Sequence, residues 1–178
     1  RKTIKTRVNY FNWDIITLSI KFELLRGGQV YFLHNNINSL PFYFEKLSKL
    51  FPSHSIKFVH GKMKNKDLEL SVLSFFRGEI DILICTSIIE SGLDVSNANT
   101  IIINNSQNFG LSQLYQIRGR VGRGPREAHC MLLIPTKAAI NQAAVKRLKA
   151  LELFTSLGSS YDLALSDLEI RGAGNIFG

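Results

Sequence analysis

Features that define several familiar protein classes are absent from this chain of 178 residues. It has only two cysteines, Cys85 and Cys130, and their spacing matches neither a metal-binding nor a redox motif. No apolar run approaches the roughly 20 residues that a membrane-spanning helix needs, and no secretory signal peptide opens the chain. We therefore expect a protein of a reduced intracellular compartment that has no membrane partner.

Three ligand-binding patterns are also missing. The phosphate-cradling pattern G-x-x-x-x-G-K-[ST] does not occur, because the Gly61-Lys62 pair lacks the upstream glycine. No pair of carboxylates follows a predicted strand in an arrangement that would hold Mg²⁺. A G-x-G-x-x-G after the first core strand is absent too, which excludes a typical dinucleotide-binding oxidoreductase. If this chain meets a nucleoside triphosphate, it does so from the side opposite the phosphate cradle.

What is present is a globular composition with excess positive charge. Hydrophobic residues make up 45% of the chain, charged residues 20%, and the formal net charge is +8. This length predicts one core domain with an appendage. The basic residues cluster in the first seven positions and from Arg118 to Arg126, which indicates a polyanionic partner, although such charge also serves solubility alone. Because the chain starts at Arg1 and stops abruptly at Gly178, we expect a piece of a longer protein.

Strands alternate with helices over most of the chain. Asn12 is a predicted N-cap for the first helix, and an isolated extended strand over Thr3–Val8 is expected before it. Alternating apolar strands and helices are typical of a parallel sheet with helices on both faces. The predicted core strands are Val30–Leu33, Ile56–Val59, Asp81–Thr86, Thr100–Ile103 and Ala128–Ile134. The predicted helices are Trp13–Leu25, a second ending near Leu50, and a third capped by Asn65 and ended by Gly78.

After Pro135 the pattern changes to a helical hairpin with a glycine-rich tail. Ala138–Leu157 has apolar residues at helical spacing, and a shorter helix is predicted to end at Leu165. We divide the chain into a linker strand and first helix at residues 1–27, a lobe at residues 28–136, and the hairpin at residues 137–178.

Polar residues follow several predicted strands. The carboxyl ends of parallel strands meet at one edge of a sheet, where ligands bind. His60, Thr86, the loop after Ile103 and the arginine-rich segment all come after strands, so we expect them near that edge.

The segment Gln113–Arg123 has three arginines and two glycines among its last six residues. Guanidinium groups are always charged, and their forked donors suit phosphate oxygens. The glycines would let the backbone turn so that Arg120 and Arg123 point the same way. One hypothesis is an arginine-finger segment that faces a nucleoside triphosphate across a cleft. The alternative is a basic helix end held by acidic neighbours.

A second candidate segment, Thr86–Asp94, leaves a core strand. Thr86 and Ser87 offer hydroxyls for phosphates, Gly92 permits close backbone approach, and Asp94 can accept hydrogen bonds from ribose hydroxyls. The alternative is an ordinary strand exit with a helix cap, and the arginine segment downstream favours the nucleotide-binding interpretation.

Two further groups carry weaker signals. His60 and Gly61 follow a strand, where glycine would let a phosphate reach backbone amides, although a structural histidine explains the pattern equally well. Asp167, Glu169 and Arg171 could form a local ion-pair group.

These segments resemble the motifs of superfamily 2 helicases in order and spacing. Gln116–Arg123 reads Q-I-R-G-R-V-G-R and is similar to motif VI, Q-x-x-G-R-x-G-R. Cys85–Asp94 resembles motif V, Gln29–Asn35 resembles motif IV, and Val59–Gly61 resembles the small motif that follows it. The resemblance implies a second RecA-like lobe.

A narrower resemblance covers nearly the whole chain. Leu25–Val30, Ala98–Ile103, Phe109–Leu114 and Asp167–Gly174 are similar to segments of the bacterial transcription-repair coupling factors. The last of these also resembles the translocation motif that this family shares with the fork-reversing branch-migration helicases, which are the second candidate. The family's translocation motif continues with a glutamine beyond Gly178, which this chain lacks.

The coupling-factor resemblance implies the C-terminal motor lobe of an ATP-dependent double-stranded DNA translocase that displaces stalled RNA polymerase in transcription-coupled DNA repair. It implies ATP with Mg²⁺, with the magnesium and phosphate cradle held by a missing first RecA-like lobe. RNA polymerase and excision-repair proteins would bind absent domains, and the compartment would be the bacterial cytoplasm or a plastid stroma. Because the chain lacks the P-loop, we expect it to be inactive alone. A non-catalytic RecA-like nucleic-acid-binding module stays an alternative.

The same resemblance assigns roles to individual residues. Arg120 and Arg123 would be arginine fingers, and Gln116 would sense the γ-phosphate. The other ATP-binding residues would be Gly92, Asp94, Gly119 and Gly122. The DNA-binding residues would be His60, Gly61, Thr86 and Ser87. Glu169, Arg171 and Gly172 would couple closure of the lobes to translocation, and no metal ligand is expected.

Overall fold

The computed structural model describes residues 4–86, 95–122, 124–135 and 142–153. Its strands are β1 (Ile4–Tyr10), β2 (Gln29–Leu33), β3 (Ile56–Val59), β4 (Ile82–Cys85), β5 (Ala98–Ile103) and β6 (Ala128–Ile134). Its α-helices are α1 (Trp13–Leu25), α2 (Leu40–Leu50), α3 (Asn65–Phe76), α4 (Leu111–Arg118) and α5 (Gln142–Leu153). Short 3₁₀ turns at Ile37–Ser39 and Ser106–Asn108 precede α2 and α4.

The six strands form one parallel sheet in the order β1-β6-β5-β2-β4-β3. All strands therefore end at a single edge, the carboxyl edge, and all begin at the opposite one, the amino edge. The expected isolated strand is in fact part of this sheet. β1 pairs with β6 from Ile4 opposite Ala128 to Tyr10 opposite Ile134, so the prediction of an unpaired strand was wrong. A long-range pairing of this kind leaves no local trace in the sequence.

Each face of the sheet has its own hydrophobic core. Alternate strand residues such as Val30 and Phe32 pack with α1 and α2 in one core, while Tyr31 and Leu33 belong to the core on the other face. That second core also contains Phe75 of α3 and residues of α4 and α5. Burial on both faces explains why the strands are continuous apolar runs.

Local sequence signals determine where the first helix begins and ends. The Asn12 side-chain oxygen accepts hydrogen bonds from the backbone N–H groups of Asp14 at 2.8 Å and Ile15 at 3.3 Å, which confirms the predicted N-cap. Gly27, with φ of 80°, follows the end of α1. The cap predicted for α3 was wrong by one residue, because Lys64 is its N-cap and no side chain caps it.

The helix α5 lies within the first predicted helix of the hairpin. Ala144, Leu148 and Leu151 are buried at the predicted spacing, and the Glu152 carboxylate accepts a hydrogen bond from the Val8 backbone N–H at 2.7 Å. The second helix of the hairpin and the glycine-rich tail lie outside the described residues. Within the described ranges, no helix combines the length and apolarity needed to cross a membrane.

Candidate functional site

The predicted site residues lie at opposite edges of the sheet. His60 and Thr86 directly follow β3 and β4, so they lie at the carboxyl edge as expected. The arginine segment does not. Helix α4 leaves the carboxyl edge after β5 and runs back to the amino edge. The connection between Arg118 and Ala128, the arginine turn, therefore lies at the amino edge, directly before β6.

Two glycines fix the position of this turn. A Cβ on Gly122 would lie 3.1 Å from the Cβ of Ala128 and 3.3 Å from Cγ1 of Ile4, which are the first residues of β6 and β1. A Cβ on Gly124 would lie 2.6 Å from the Ser96 carbonyl oxygen, two residues before β5. The prediction that the arginine segment shares an edge with His60 was therefore wrong. The segment comes just before β6, and the residues that precede a strand of a parallel sheet lie at its amino edge.

The glycines of the segment do allow the sharp turn that the sequence predicts. Helix α4 ends at Arg118 with Gly119 as its C-cap, and Gly122 has a φ of 77°, which other residues rarely adopt. Gln116 is exposed on α4. The N–H groups of Gly119, Arg120 and Val121 donate within this turn. The turn thus places the Arg120 side chain and one flank of α4 at the amino edge.

Arg120 follows α4 in this turn and is partly exposed. Within the described ranges, no carboxylate lies within ion-pairing distance of its guanidinium. Arg123 lies outside the described residues.

The third arginine of the segment has a structural position that the sequence analysis missed. Arg118 is 1% exposed, its Nη1 donates to Thr6 Oγ1 at 3.1 Å, and its guanidinium lies 5.0 Å from the Tyr115 ring centroid. Burial lowers its pKa. The spacing of Arg118 behind the buried Leu111 and Leu114 could have indicated an inward-facing side chain.

The segment that leads toward the ribose candidate also ends at the amino edge. Ser87, Gly92 and Asp94 lie outside the described residues, but Val95, which follows Asp94, is buried and its carbonyl accepts from the Ala98 N–H at 3.1 Å. Ala98 begins β5. Thr86 and Val95 are therefore the two ends of a segment that starts at the carboxyl edge and finishes beside the arginine turn.

At the carboxyl edge, His60 is partly exposed, and its Nδ1 accepts a hydrogen bond from the Lys62 N–H at 3.2 Å. Gly61 is exposed. Thr86, in contrast, is only 5% exposed. The exposed elements of this candidate DNA site are therefore the His60 turn and its glycine.

A polar network that the sequence analysis missed lies beside these residues. The Asn104 amide donates to His34 Nδ1 at 3.0 Å and to the Tyr43 hydroxyl at 3.0 Å. This leaves the proton on His34 Nε2, which can donate to Ser39 Oγ at 2.6 Å. Burial lowers the pKa of His34, so the ring is neutral at pH 7. His34 and Asn104 directly follow β2 and β5, which was the available sequence signal.

No set of three His, Cys, Asp or Glu side chains that could hold a metal ion occurs in the part of the chain that the structure describes. The pKa values of both cysteine thiols are raised by burial, that of Cys130 to about 12, so both thiols are protonated. The chemistry that the described residues make available at the amino edge is that of the Arg120 guanidinium.

The sequence has close relatives along its whole length. It is 46% identical over 178 residues to a transcription-repair-coupling factor of Myxococcus xanthus and 48% identical over 178 residues to a chloroplastic ATP-dependent DNA helicase of Arabidopsis thaliana. All of this chain is covered in both comparisons, but it spans only 15% and 22% of those relatives.

Solved structures share the fold. RecG bound to a three-way DNA junction is 34% identical, with a TM-score of 0.83 over 98% of this chain and 23% of RecG. Dbp5 of S. cerevisiae, bound to RNA and ADP BeF3, has a TM-score of 0.65 over 95% of this chain and 44% of that chain. At 14% identity, the second likeness shows the fold alone.

The fold is thus the RecA-like parallel sheet of helicase C-terminal lobes. Residues 14–125, well over half of the chain, match the helicase conserved C-terminal domain. These residues run from the first turn of α1 into the arginine turn. The chain therefore belongs to the family of the helicase conserved C-terminal domain.

Proposed function

We propose that this chain is the C-terminal motor lobe of an ATP-dependent double-stranded DNA translocase that displaces stalled RNA polymerase in transcription-coupled repair. The observation that carries the proposal is the separation of the two candidate sites. Arg120, without a carboxylate partner in the described ranges, lies at the amino edge, and the His60 turn lies at the carboxyl edge. One lobe could then hold nucleotide and DNA at the same time without competition between them.

At the amino edge, Arg120 and Arg123 would act as arginine fingers on the γ-phosphate, and Gln116 would sense it. Fingers of this kind accelerate hydrolysis by about 10³-fold or more, because they stabilise charge that develops in the transition state. Gly119 and Gly122 would let the backbone approach the phosphates. Gly92 and Asp94 would complete the nucleotide site on the segment that ends at Val95.

Mg²⁺ and the phosphate cradle would belong to the first RecA-like lobe of the same protein. What this chain would contribute is the guanidinium of Arg120, which is partly exposed at the amino edge. The chain alone would therefore not hydrolyse ATP. ATP hydrolysis by the purified 178 residues would contradict this expectation.

At the carboxyl edge, His60, Gly61 and Ser87 would contact the DNA backbone, whereas Thr86 is too buried for that role. Backbone contacts carry no sequence information, which is what a translocase needs to move along any duplex. Closure of the two lobes on ATP and their opening after hydrolysis would move the DNA by one step. Glu169, Arg171 and Gly172 would couple that closure to movement.

The relatives support the biological setting of the proposal. The bacterial coupling factors favour the bacterial cytoplasm, and the chloroplastic relative favours a plastid as the alternative. RNA polymerase and excision-repair proteins would bind domains outside this chain, since it spans only a small part of those relatives.

The structural likeness to RecG favours a second candidate, a branch-migration helicase that reverses forks. Two assays on the full-length protein separate the candidates. A coupling factor would displace a stalled RNA polymerase, and a branch-migration helicase would regress a model replication fork. Fork regression without polymerase displacement would select the second candidate.

The catalytic part of the proposal is tested by Arg120→Ala and Arg123→Ala in the full-length protein. We expect DNA-stimulated ATP hydrolysis to fall by about 10³-fold, with ATP binding nearly unchanged, because the fingers act on the transition state. Arg77→Ala, which changes an exposed arginine at the end of α3, is the matched control. Unchanged turnover in both finger variants would instead favour a non-catalytic nucleic-acid-binding module.

A further inference from the structure

A buried ion pair lies at the end of α1, where α1 meets the amino edge. Glu23 is 0% exposed. Its carboxylate accepts hydrogen bonds from Arg26 Nε at 2.7 Å and Arg26 Nη2 at 2.6 Å, and from the Thr100 hydroxyl of β5 at 2.5 Å. A buried charge is costly unless it is paired and hydrogen-bonded. These donors satisfy both oxygens and hold the Arg26 guanidinium in one orientation.

The same guanidinium reaches the exit of the arginine turn. Arg26 Nη2 also donates to the Glu127 carbonyl oxygen at 2.6 Å, and the Arg126 guanidinium donates to the Arg26 carbonyl oxygen. Glu127 is the last residue before β6. The end of α1 and the end of the arginine turn are thus joined in both directions, across about 100 residues of sequence.

Close packing leaves this junction little freedom. A Cβ on Gly28 would overlap the Glu23 carboxylate, and Asn97 Nδ2 donates to the Gly27 carbonyl oxygen at 2.7 Å. On the turn itself, Gly124 lies against the Ser96 carbonyl. The exit of the arginine turn is therefore packed between the end of α1 and the start of β5.

The entry to the turn is fixed as well. Arg118, the last residue of α4, is buried and donates to Thr6 of β1. The short stretch between Arg118 and Glu127, which contains both candidate fingers, is therefore anchored at one end by the buried Arg118 and at the other by the hydrogen bond from Arg26 to the Glu127 carbonyl.

From this arrangement we infer that Arg26, oriented by the buried carboxylate of Glu23, is a positioning residue that sets the placement of the arginine turn for ATP hydrolysis. The inference rests on the proposed function of Arg120 and Arg123. A displacement of about 1 Å at a catalytic group can lower a rate by roughly 10²-fold. Only a forked side chain can hold the Glu23 carboxylate through two donors and the Glu127 carbonyl at the same time.

The test uses Arg26→Lys in the full-length protein, since lysine keeps the charge beside Glu23 but cannot make all three hydrogen bonds. We expect kcat for DNA-stimulated ATP hydrolysis to fall by about tenfold or more, with KM for ATP changed by less than about twofold. Binding of ADP–aluminium fluoride should weaken in parallel with kcat, while binding of a non-hydrolysable ATP analogue should not.

Arg77→Lys is the matched control, because it makes the same substitution at an exposed arginine that ends α3, outside this network. It should leave kcat within about twofold of the wild type. If Arg26→Lys changes only the thermal midpoint and leaves kcat unaltered, the pair is merely structural and the inference is wrong.

Arg126→Ala covers the case in which Arg26→Lys does not fold, since it removes an exposed side chain that binds the Arg26 carbonyl. We expect kcat to fall by about two- to fivefold, and an unchanged kcat would overturn the inference. Arg120→Ala in the same assay separates the two proposals. If it leaves turnover intact, the proposed function fails. If it abolishes turnover while Arg26→Lys has no effect, only the positioning role fails.

Discussion

The amino and carboxyl edges of the sheet hold their polar groups in different ways. The amino edge is built on formal charge, with the Glu23–Arg26 pair inside it and Arg120 and Arg126 on the turn. At the carboxyl edge, hydrogen bonds between uncharged side chains link His34 to Asn104 and Ser39. The six strands are followed there by Phe11, His34, His60, Thr86, Asn104 and Pro135.

This difference matches two different tasks. Charge that develops during phosphoryl transfer is stabilised best by charged donors fixed in advance. DNA phosphates are attracted by exposed positive charge whatever the base sequence, and Lys62 and Lys64, which follow β3 beside His60, provide such charge at the carboxyl edge. If the proposed function is right, the lobe therefore separates fixed charged groups for catalysis from exposed charged and polar groups for sequence-independent binding.

The largest expected effect comes from a substitution in the arginine turn, at the amino edge. Gly122→Ala should lower the free energy of unfolding by about 2–4 kcal/mol, because Gly122 has positive φ and its Cβ would crowd Ala128 and Ile4. Turnover of the full-length protein should also fall. Gly78→Ala is the control, since Gly78 has a φ of 80° with no atom within 4 Å of an added Cβ. It should cost only about 1–2 kcal/mol, and equal losses in the two variants would show that crowding at the turn is unimportant.

A smaller effect is expected on the pH dependence of stability, to which one histidine at each edge contributes. Burial lowers the pKa of His34, and burial followed by the charge of Arg26 lowers the pKa of His129 at the amino edge. The unfolded chain then binds these protons more readily than the folded chain. Stability is therefore retained above the ordinary histidine pKa of about 6.5 and is lost as the pH falls below it.

Each histidine should contribute at most about 1 kcal/mol to this loss between pH 7 and 5.5, because the unfolded pKa of about 6.5 limits the effect over that range. Urea unfolding of the purified chain should show a flatter pH dependence in His34→Gln and in His129→Gln. His54→Gln, at an exposed histidine, is the control. A pH dependence that persists in the His34 and His129 double variant would refute this account.

The smallest effect concerns binding at the carboxyl edge. In the full-length protein, His60→Ala should raise the DNA concentration for half-maximal ATPase stimulation by about two- to tenfold, the equivalent of one hydrogen bond. KM for ATP should not change. His54→Ala changes a histidine that precedes β3 at the amino edge and should leave DNA stimulation unaltered. If His60→Ala affects KM for ATP instead, the assignment of ligands to the two edges is wrong.

Much of the fold could be predicted from the sequence, because buried parallel strands produce continuous apolar runs and glycines mark the ends of helices. The cap at Asn12 and the bounds of β3 and β6 are examples. The pairing of β1 with β6 could not be predicted, since it joins the first strand along the chain to the last. The edge at which Arg120 lies was missed for a different reason. The segment was assigned to the edge where the preceding strand ends, but a connection between the parallel strands β5 and β6 returns to the amino edge.

Prediction of the candidate site had the same limit, because contacts between distant residues leave no local signal in the sequence. Motif order identified the segments that carry polar residues, but it could not distinguish the inward-facing Arg118 from the partly exposed Arg120 two positions later. The roles of Arg26 and Glu23 were invisible as well. They depend on contacts with Thr100 and Glu127, which are distant in the chain.

The hydrogen bond from the Val8 N–H to Glu152 has a consequence for the outer margin of the sheet. Among the residues that the structure describes, no strand lies beside β1 on its far side. An open edge of this kind can recruit a strand from another molecule. Helix α5 lies against β1 and places a carboxylate on it at 2.7 Å. Loss of α5 would therefore expose the free edge of β1 and favour self-association of the lobe.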